Sequence, residues 1–514
     1  MSRTEKSIRN INFALISQFS LLFFSFLTRS VFANTLGSVY LGINGLFSNI
    51  IGILNITELG IGASITFSLY KPLAFGDQKK ISAYMRIFKK AFTIIGVGVF
   101  FIGMLLMPFL KFFLRDIEFT NGVHFEFTNE IYLIFLLFII NASLGYFNSY
   151  KQSLLLADQK GYIFSLIRMV GTICLNLAQI LVLVVWNNFI LFLILQIIYT
   201  VILNFILSNK VGSLYPYLKQ YQEKISVEEK STLIKNIKAM SLNSISGVLV
   251  NSTDSILIAL FANILVVGAY SNYLMIIVGL NSIYNMIFSS LSASIGNLNA
   301  MSDKKLLKER FETVYFISFW VYAFSSIALL ILLNPFIYLW VGEEFLLSPM
   351  VVYLIVTLFY LNGMRKVVLV FKESLGLVWP DRYRALIESI INLFFSVIFG
   401  YFFGIYGVLL GTLTSVILTT WVEPYVLYKY GFEKTVKNFF TIYLHYFLKL
   451  IIVLVPVYGL SLIIPFSGIM SFLLLMIFCF LFSNLSFWAL FSHNKNFIFI
   501  LSLVKSMLQK RVFK

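Results

Sequence analysis

The sequence predicts an all-α polytopic membrane protein, and three observations carry that expectation. Of its 514 residues, 59% are hydrophobic and only 12% are charged, with a mean hydropathy of +0.90, outside the range of soluble globular domains. About fourteen apolar runs reach the roughly 20 residues that a helix needs to cross the hydrocarbon layer. Lys and Arg gather in alternate loops, as the positive-inside rule requires of a multi-pass protein.

The expected spans are 11–33, 41–70, 91–113, 131–150, 162–186, 189–208, 239–262, 267–296, 313–333, 350–371, 385–403, 406–428, 445–464 and 470–491. Bases crowd the N-terminus (Arg3, Lys6, Arg9), the loops 71–90, 209–238, 302–312, 365–384 and 429–437, and the tail from Lys495 to Lys514. These segments are assigned to the cytoplasm, so both termini are cytoplasmic. Intervening loops carry acids instead: Asp116, Glu118, Glu126 and Glu130 in one, Glu343 and Glu344 in another. The net charge of +17 therefore reports topology, and no nucleic-acid partner is expected. The first apolar run is too long for a signal-peptide core and has no small-x-small cleavage site, so it stays as an anchor. Cys174 and Cys479 stand alone within spans and read as buried packing residues. With His124, His445 and His493 isolated in loops or at span ends, no metal site and no cofactor are expected.

An internal repeat organises the chain, at a separation of about 214 to 230 residues. "YFNSYK" at 146–151 returns as "YLNGMR" at 360–365, so Lys151 corresponds to Arg365. "LIR" at 166–168 returns as "LIE" at 386–388, and "GASI" at 62–65 is echoed by "SASI" at 292–295. The expected organisation is a six-helix bundle over 1–208, a cytoplasmic linker over 209–238 containing a surface helix, and a second six-helix bundle over 239–428. Two further helices and a basic tail occupy 429–514. Six spans restore orientation, so the bundles are parallel repeats, an arrangement that encloses a central cavity.

Helical spacing indicates what would face such a cavity. The first span carries Gln18, Ser25 and Arg29; the second Asn44, Ser48, Asn55 and Glu58; the seventh Asn243, Asn251 and Asp254; the eighth Asn281, Asn285 and Ser289. For the amides and hydroxyls, hydrogen-bonded glue between helices is the commoner role. Ionised groups are different, because a cation at the centre of a span costs roughly 2.5–3.5 kcal/mol even on a lenient scale. Arg29, Arg168, Glu58, Asp254 and Glu388 therefore need water or a partner, while Lys151 and Arg365 lie near the inner interface, where snorkelling to headgroups is an equal alternative. Arg29 and Arg168, with Lys151 and Arg365 at the mouth, favour an anionic cargo, since a guanidinium keeps its proton and matches phosphate oxygens with a planar fork. The candidate cargo-binding set is Arg29, Arg168, Lys151, Arg365, Gln18, Ser25, Asn55 and Asn251. Glu58, Asp254 and Glu388 are candidates for ion coupling or gating, and the pairing expected from the repeat is Arg168 with Glu388.

Several stretches resemble a known family. "TELGIGASITFSLYKPLA" (57–74), "SYKQSLLLADQKGYI" (149–163), "NSTDSILIALFANILVVGAYSNY" (251–273), "VWPDRYRALIESIINL" (378–393) and "WVEPYVLYKYGF" (421–432) look like Wzx-type repeat-unit flippases of capsule, O-antigen and exopolysaccharide pathways. Those belong to the multidrug/oligosaccharidyl-lipid/polysaccharide (MOP) superfamily. The resemblance implies a MATE-like fold with a cationic central cavity in a bacterial cytoplasmic membrane. It also implies export of undecaprenyl-diphosphate-linked oligosaccharide from the inner to the outer leaflet by alternating access, without covalent chemistry. Membrane lipids, a coupling proton or sodium ion and other polysaccharide-assembly proteins would be its partners. A MATE-type drug and cation antiporter is the main alternative, disfavoured by the arginines. A membrane polysaccharide polymerase would want a large catalytic loop, whereas no outer loop here exceeds roughly 16 residues.

Overall fold

The computed structural model describes residues 3–54, 61–221 with gaps inside 115–127, isolated positions between 225 and 234, 252–292, isolated positions between 295 and 298, and 304–512 except 378. Apart from a two-residue β ladder, Ile117–Glu118 with His124–Phe125, its regular structure is helical. Among the described residues, twelve helices are long and apolar enough to cross a membrane, and the protein is a multi-pass membrane protein. The first of these helices covers the expected span 11–33 and the start of 41–70, whose end falls on a separate helix, Ile61–Phe75, and the other eleven cover one expected span each. Most of the expected span 239–262 lies outside the described residues, which include only its end, a short apolar helix over Ser252–Phe261. The linker helix expected near 223–240 also falls largely outside them.

The chain forms two compact units, Met1–Ser271 and Asn272–Lys514. The first unit holds α1 (Arg3–Leu54), α2 (Ile61–Phe75), α3 (Gln78–Leu106), α4 (Asn129–Tyr146), α5 (Ser149–Ala157), α6 (Gly161–Trp186), α7 (Phe189–Leu214) and α8 (Ser252–Phe261), with the start of α9 (Ile264–Ser289). A continuous helix of the 52 residues of α1 would be about 78 Å long at 1.5 Å per residue, well over twice the roughly 30 Å hydrocarbon layer. Gly37 resolves this with φ 79° and ψ −176°, a left-handed backbone that glycine alone adopts without strain. Two spans therefore run through what is nominally one helix.

Beyond the break, α1 crosses α8 and α9 on glycines. A Cβ on Gly42 would strike the Ile264 carbonyl, one on Gly268 would sit 2.8 Å from the Ser38 carbonyl, and one on Gly52 would come to 3.1 Å from Ser252 Oγ. Small residues at such crossings let backbones approach where lipid supplies no hydrophobic drive. Hydroxyls and amides bind the remaining helices. Ser143 Oγ donates to the Gly96 carbonyl at 2.8 Å, joining α4 to α3, and Thr200 Oγ1 donates to Asn141 Oδ1 at 2.7 Å, joining α7 to α4. At the end of the unit rich in Lys and Arg, Ile65, Leu69, Met85, Phe88, Leu154 and Leu207 form a buried apolar core.

The second unit holds the rest of α9, then α10 (Lys304–Val341), α11 (Pro349–Ser374), α12 (Arg384–Phe403), α13 (Ile405–Thr419), α14 (Lys437–Ser461), α15 (Ile469–Phe491) and α16 (Lys495–Val512). α12 and α13 meet at small residues: Ser396 Oγ donates to the Val408 carbonyl at 3.0 Å, and Asn392 donates to Thr412 at 2.9 Å. The helices beyond the repeat pack on α10 through rings, with Phe319 stacked on Tyr446 at 4.6 Å and Trp320 on Phe497 at 5.4 Å. The Trp320 indole also donates to Asn484 at 2.9 Å. Of the two cysteines, Cys479 is buried as expected, but Cys174 is exposed. Its position on α6 follows the outward apolar face of Val170, Leu177 and Leu181, so it is a lipid-facing residue and not a packing residue.

Candidate functional site

Arg29 lies eight residues before the Gly37 break, about 12 Å along the helix, so it stands well inside the span. Three faces of α1 define its surroundings. Ile16, Phe19, Phe23 and Leu27, three and four residues apart, are exposed and apolar, the pattern of a lipid-facing stripe. Ser17 and Thr28 turn toward α6, where Thr28 Oγ1 donates to Asn176 Oδ1 at 2.7 Å and Ser17 Oγ donates to the Ser165 carbonyl at 3.4 Å. Gln18, Ser25 and Arg29, seven and four apart, share the third face, turned away from the apolar stripe, and all three are half-buried. Arg29 Nη2 donates to Ser271 Oγ on α9, and that hydroxyl donates onward to the Gly268 carbonyl at 2.7 Å. With its proton committed, Ser271 offers the guanidinium a lone pair, which fixes the headgroup.

Asp254 is buried on α8, 7% exposed, and near enough to Tyr270 to interact with its hydroxyl electrostatically. Arg29 and Asp254 thus meet the same turn of α9, at Ser271 and Tyr270. Arg168 is exposed on the side of α6 opposite the outward Leu166, Val170 and Leu177. It sits three residues from Ser165, the acceptor of Ser17, so Arg168 and the Arg29 stripe flank the same seam between α1 and α6. Asn55, Glu58 and Asn251 lie outside the described residues. Lys151 is elsewhere in the first unit, donating to Ser208 Oγ in a basic pocket at the ends of α3, α5 and α7.

Arg365 and Glu388, expected at a cavity mouth or gate, belong to a buried ion network of the second unit. Arg365 spends Nε on Glu423 Oε1 at 2.7 Å and its two terminal nitrogens on Glu388 at 2.8 and 2.6 Å. Arg384 pairs with Glu388 and approaches Glu423 at 3.0 Å, and Lys372 pairs with Asp381. Three cations meet three carboxylates, and Glu423 is fully buried. The physical reason is desolvation: a buried guanidinium is tolerated only when carboxylates and hydrogen bonds replace its water. Both oxygens of Glu388 are engaged by Arg365 and Arg384 within its own unit. Sequence reasoning singled out neither Glu423 nor Lys372, Asp381 and Arg384. Their signal was present, since four of the six members fall in the quoted stretches 378–393 and 421–432.

No family model matches the sequence, and no curated protein matches it. Solved structures do match in fold. The chain is similar to a lipid II flippase, MurJ, in an inward closed conformation, at 14% identity with a TM-score of 0.68, covering 95% of this chain and 99% of that one. It is similar to an inward-facing MATE-family multidrug-resistance transporter of the MOP superfamily, at 13% identity with a TM-score of 0.60, covering 80% and 96%. A MOP-superfamily transporter from Pyrococcus furiosus, whose binding pocket is of reversed polarity, matches at 15% identity with a TM-score of 0.54, covering 81% and 93%. The chain therefore shares its fold with these transporters. At these identities the likeness concerns architecture alone.

Proposed function

We propose that the chain is a Wzx-type flippase that carries an undecaprenyl-diphosphate-linked oligosaccharide from the inner to the outer leaflet of a bacterial cytoplasmic membrane by alternating access. The observation that carries this reading is Arg29, held by Ser271 on the face of α1 turned away from lipid. A glycan diphosphate cannot enter hydrocarbon unaided, because its charges and hydroxyls would lose water without replacement. Arg29 would bind the diphosphate, with Gln18 and Ser25 on the same face meeting sugar hydroxyls and Arg168 adding charge at the α1–α6 seam. The polyprenyl tail would stay in the bilayer, and no bond would be made or broken. The shared fold with a lipid II flippase supports the reading at the level of architecture.

A cation antiporter is the second reading, and one observation favours it: the buried carboxylate of Asp254 beside Tyr270. Such a group can take up and release a proton or a sodium ion. A deletion strain separates the two. The flippase reading expects lipid-linked glycan to accumulate on the inner leaflet, with export restored by the wild-type gene and not by Arg29→Ala. Normal glycan export together with loss of organic-cation efflux would overturn it in favour of the antiporter.

A further inference from the structure

We propose that the basic pocket of the first unit is an anion site that takes a phosphate group, separate from the Arg29 face and independent of what the protein transports. The cavity has a volume of about 620 Å³ and draws its charge from Arg86 and Lys89 on α3, Lys151 on α5 and Lys219 just beyond α7. Four cations thus come from three separated stretches of sequence, and among the described residues no carboxylate lines the cavity. Lys89 and Lys219 lie close enough to the partly buried Lys151 for their charges to repel it, a repulsion that a bound anion would relieve.

The neighbouring acid is committed elsewhere. Asp158 accepts the hydroxyl of Tyr215 at 2.6 Å and pairs with Lys160 at 2.7 Å. Burial, reinforced by that hydrogen bond, holds the Tyr215 hydroxyl well above its ordinary pKa, so it adds no negative charge to the wall. Among the described residues, Lys89, Lys151 and Lys219 make no ion pair. Ser208 on the lining accepts from Lys151 and keeps its own proton to donate to a phosphate oxygen, whereas Ser82 spends its proton on the Tyr217 carbonyl. Fixed parts build the rest of the site: Tyr150 and Tyr215 are buried, and Lys151 is anchored by Ser208. Lys89 on α3 and Lys219 just beyond α7 are exposed at the rim. The second unit offers a contrast at the repeat-equivalent position, where Arg365 is fully countered by carboxylates.

The shared chemistry is a phosphate anion, supplied either by the headgroup of an acidic phospholipid or by a soluble phosphate. Full-length protein in detergent is titrated with inorganic pyrophosphate by calorimetry. In a parallel arm, retention of phosphatidylglycerol against phosphatidylcholine is measured by native mass spectrometry. Lys89→Gln and Lys219→Gln should each weaken the bound probe about fivefold and the pair about thirtyfold, on the usual worth of a lysine beside an anionic surface. Lys89→Arg with Lys219→Arg should restore binding, and Lys90→Gln, outside the lining, should leave it unchanged. Loss confined to phosphatidylglycerol identifies a headgroup site, and loss of pyrophosphate binding identifies a soluble ligand. The proposal is overturned if neither probe binds, or if the Lys89 and Lys219 variants bind both as the wild type does. Because neither probe is a lipid-linked glycan, this result does not depend on the transport assays.

Discussion

Replacing Arg365 with alanine removes the centre of the buried network and leaves Glu388 and Glu423 to share Arg384. The cluster then holds two cations and three carboxylates, one charge out of balance in a region where Glu423 is fully buried. Breaking a buried pair by deleting one partner costs about 3–5 kcal/mol, most of it the stranded charge. For a unit of this size, where each kcal/mol moves the melting point about 2–4 °C, the expected loss is about 6–20 °C. Arg365→Lys should fall between, because an ammonium keeps the charge but cannot reach Glu423 and both oxygens of Glu388 at once. The assay is thermal unfolding of the detergent-solubilised protein followed by size-exclusion fluorescence. Arg365→Met combined with Glu423→Gln should recover part of the loss, since the double variant restores the balance of charge. A single Arg365→Ala as stable as the wild type, or a double variant less stable than the sum of its parts, would refute the role assigned to the network.

Arg29→Ala should abolish glycan export in cells while leaving membrane insertion intact, and Arg29→Lys should rescue export only in part; quantitative surface glycan staining beside membrane fractionation checks both. Combining Arg29→Ala with Asp254→Asn tests the structural alternative, because restored export would mean that the arginine served only to balance the aspartate. Gly411→Leu should push α13 off Ser396 and lower stability by about 1–3 kcal/mol, the usual cost of overpacking, measurable as a reduced melting point. Thr28→Val should cost about 0.6–2 kcal/mol by removing the hydrogen bond to Asn176, with transport largely preserved.

Much of this architecture was legible in the sequence because membrane spans announce themselves locally. Length and apolarity located the helices, and the polar stripe of Gln18, Ser25 and Arg29 falls on a different face of α1 from the exposed Ile16, Phe19 and Phe23. The break at Gly37 was less visible, since a single glycine between apolar runs marks a turn only when the helix on both sides is too long to cross in one piece. The ion network was the hardest part to read. Arg365 meets Glu388 and Glu423 across 23 and 58 residues, and no periodicity within one helix encodes a pairing between helices. The same is true of Lys89 and Lys219, which look like ordinary positive-inside charge until the fold gathers them around one cavity. Cys174 was misplaced for a related reason: apolar surroundings in the sequence do not distinguish lipid from protein interior.

The central claim is that this fold moves a lipid-linked glycan diphosphate and that Arg29 handles its charge. The most direct test is reconstitution of purified protein into liposomes carrying a fluorescent undecaprenyl-diphosphate-linked oligosaccharide, with transbilayer transfer followed by loss of protection from a membrane-impermeant quencher. Transfer in wild-type vesicles, its loss with Arg29→Ala and its partial return with Arg29→Lys is the predicted result. Wild-type vesicles that hold correctly inserted protein yet keep the glycan protected, or transfer that is indifferent to Arg29, would contradict it.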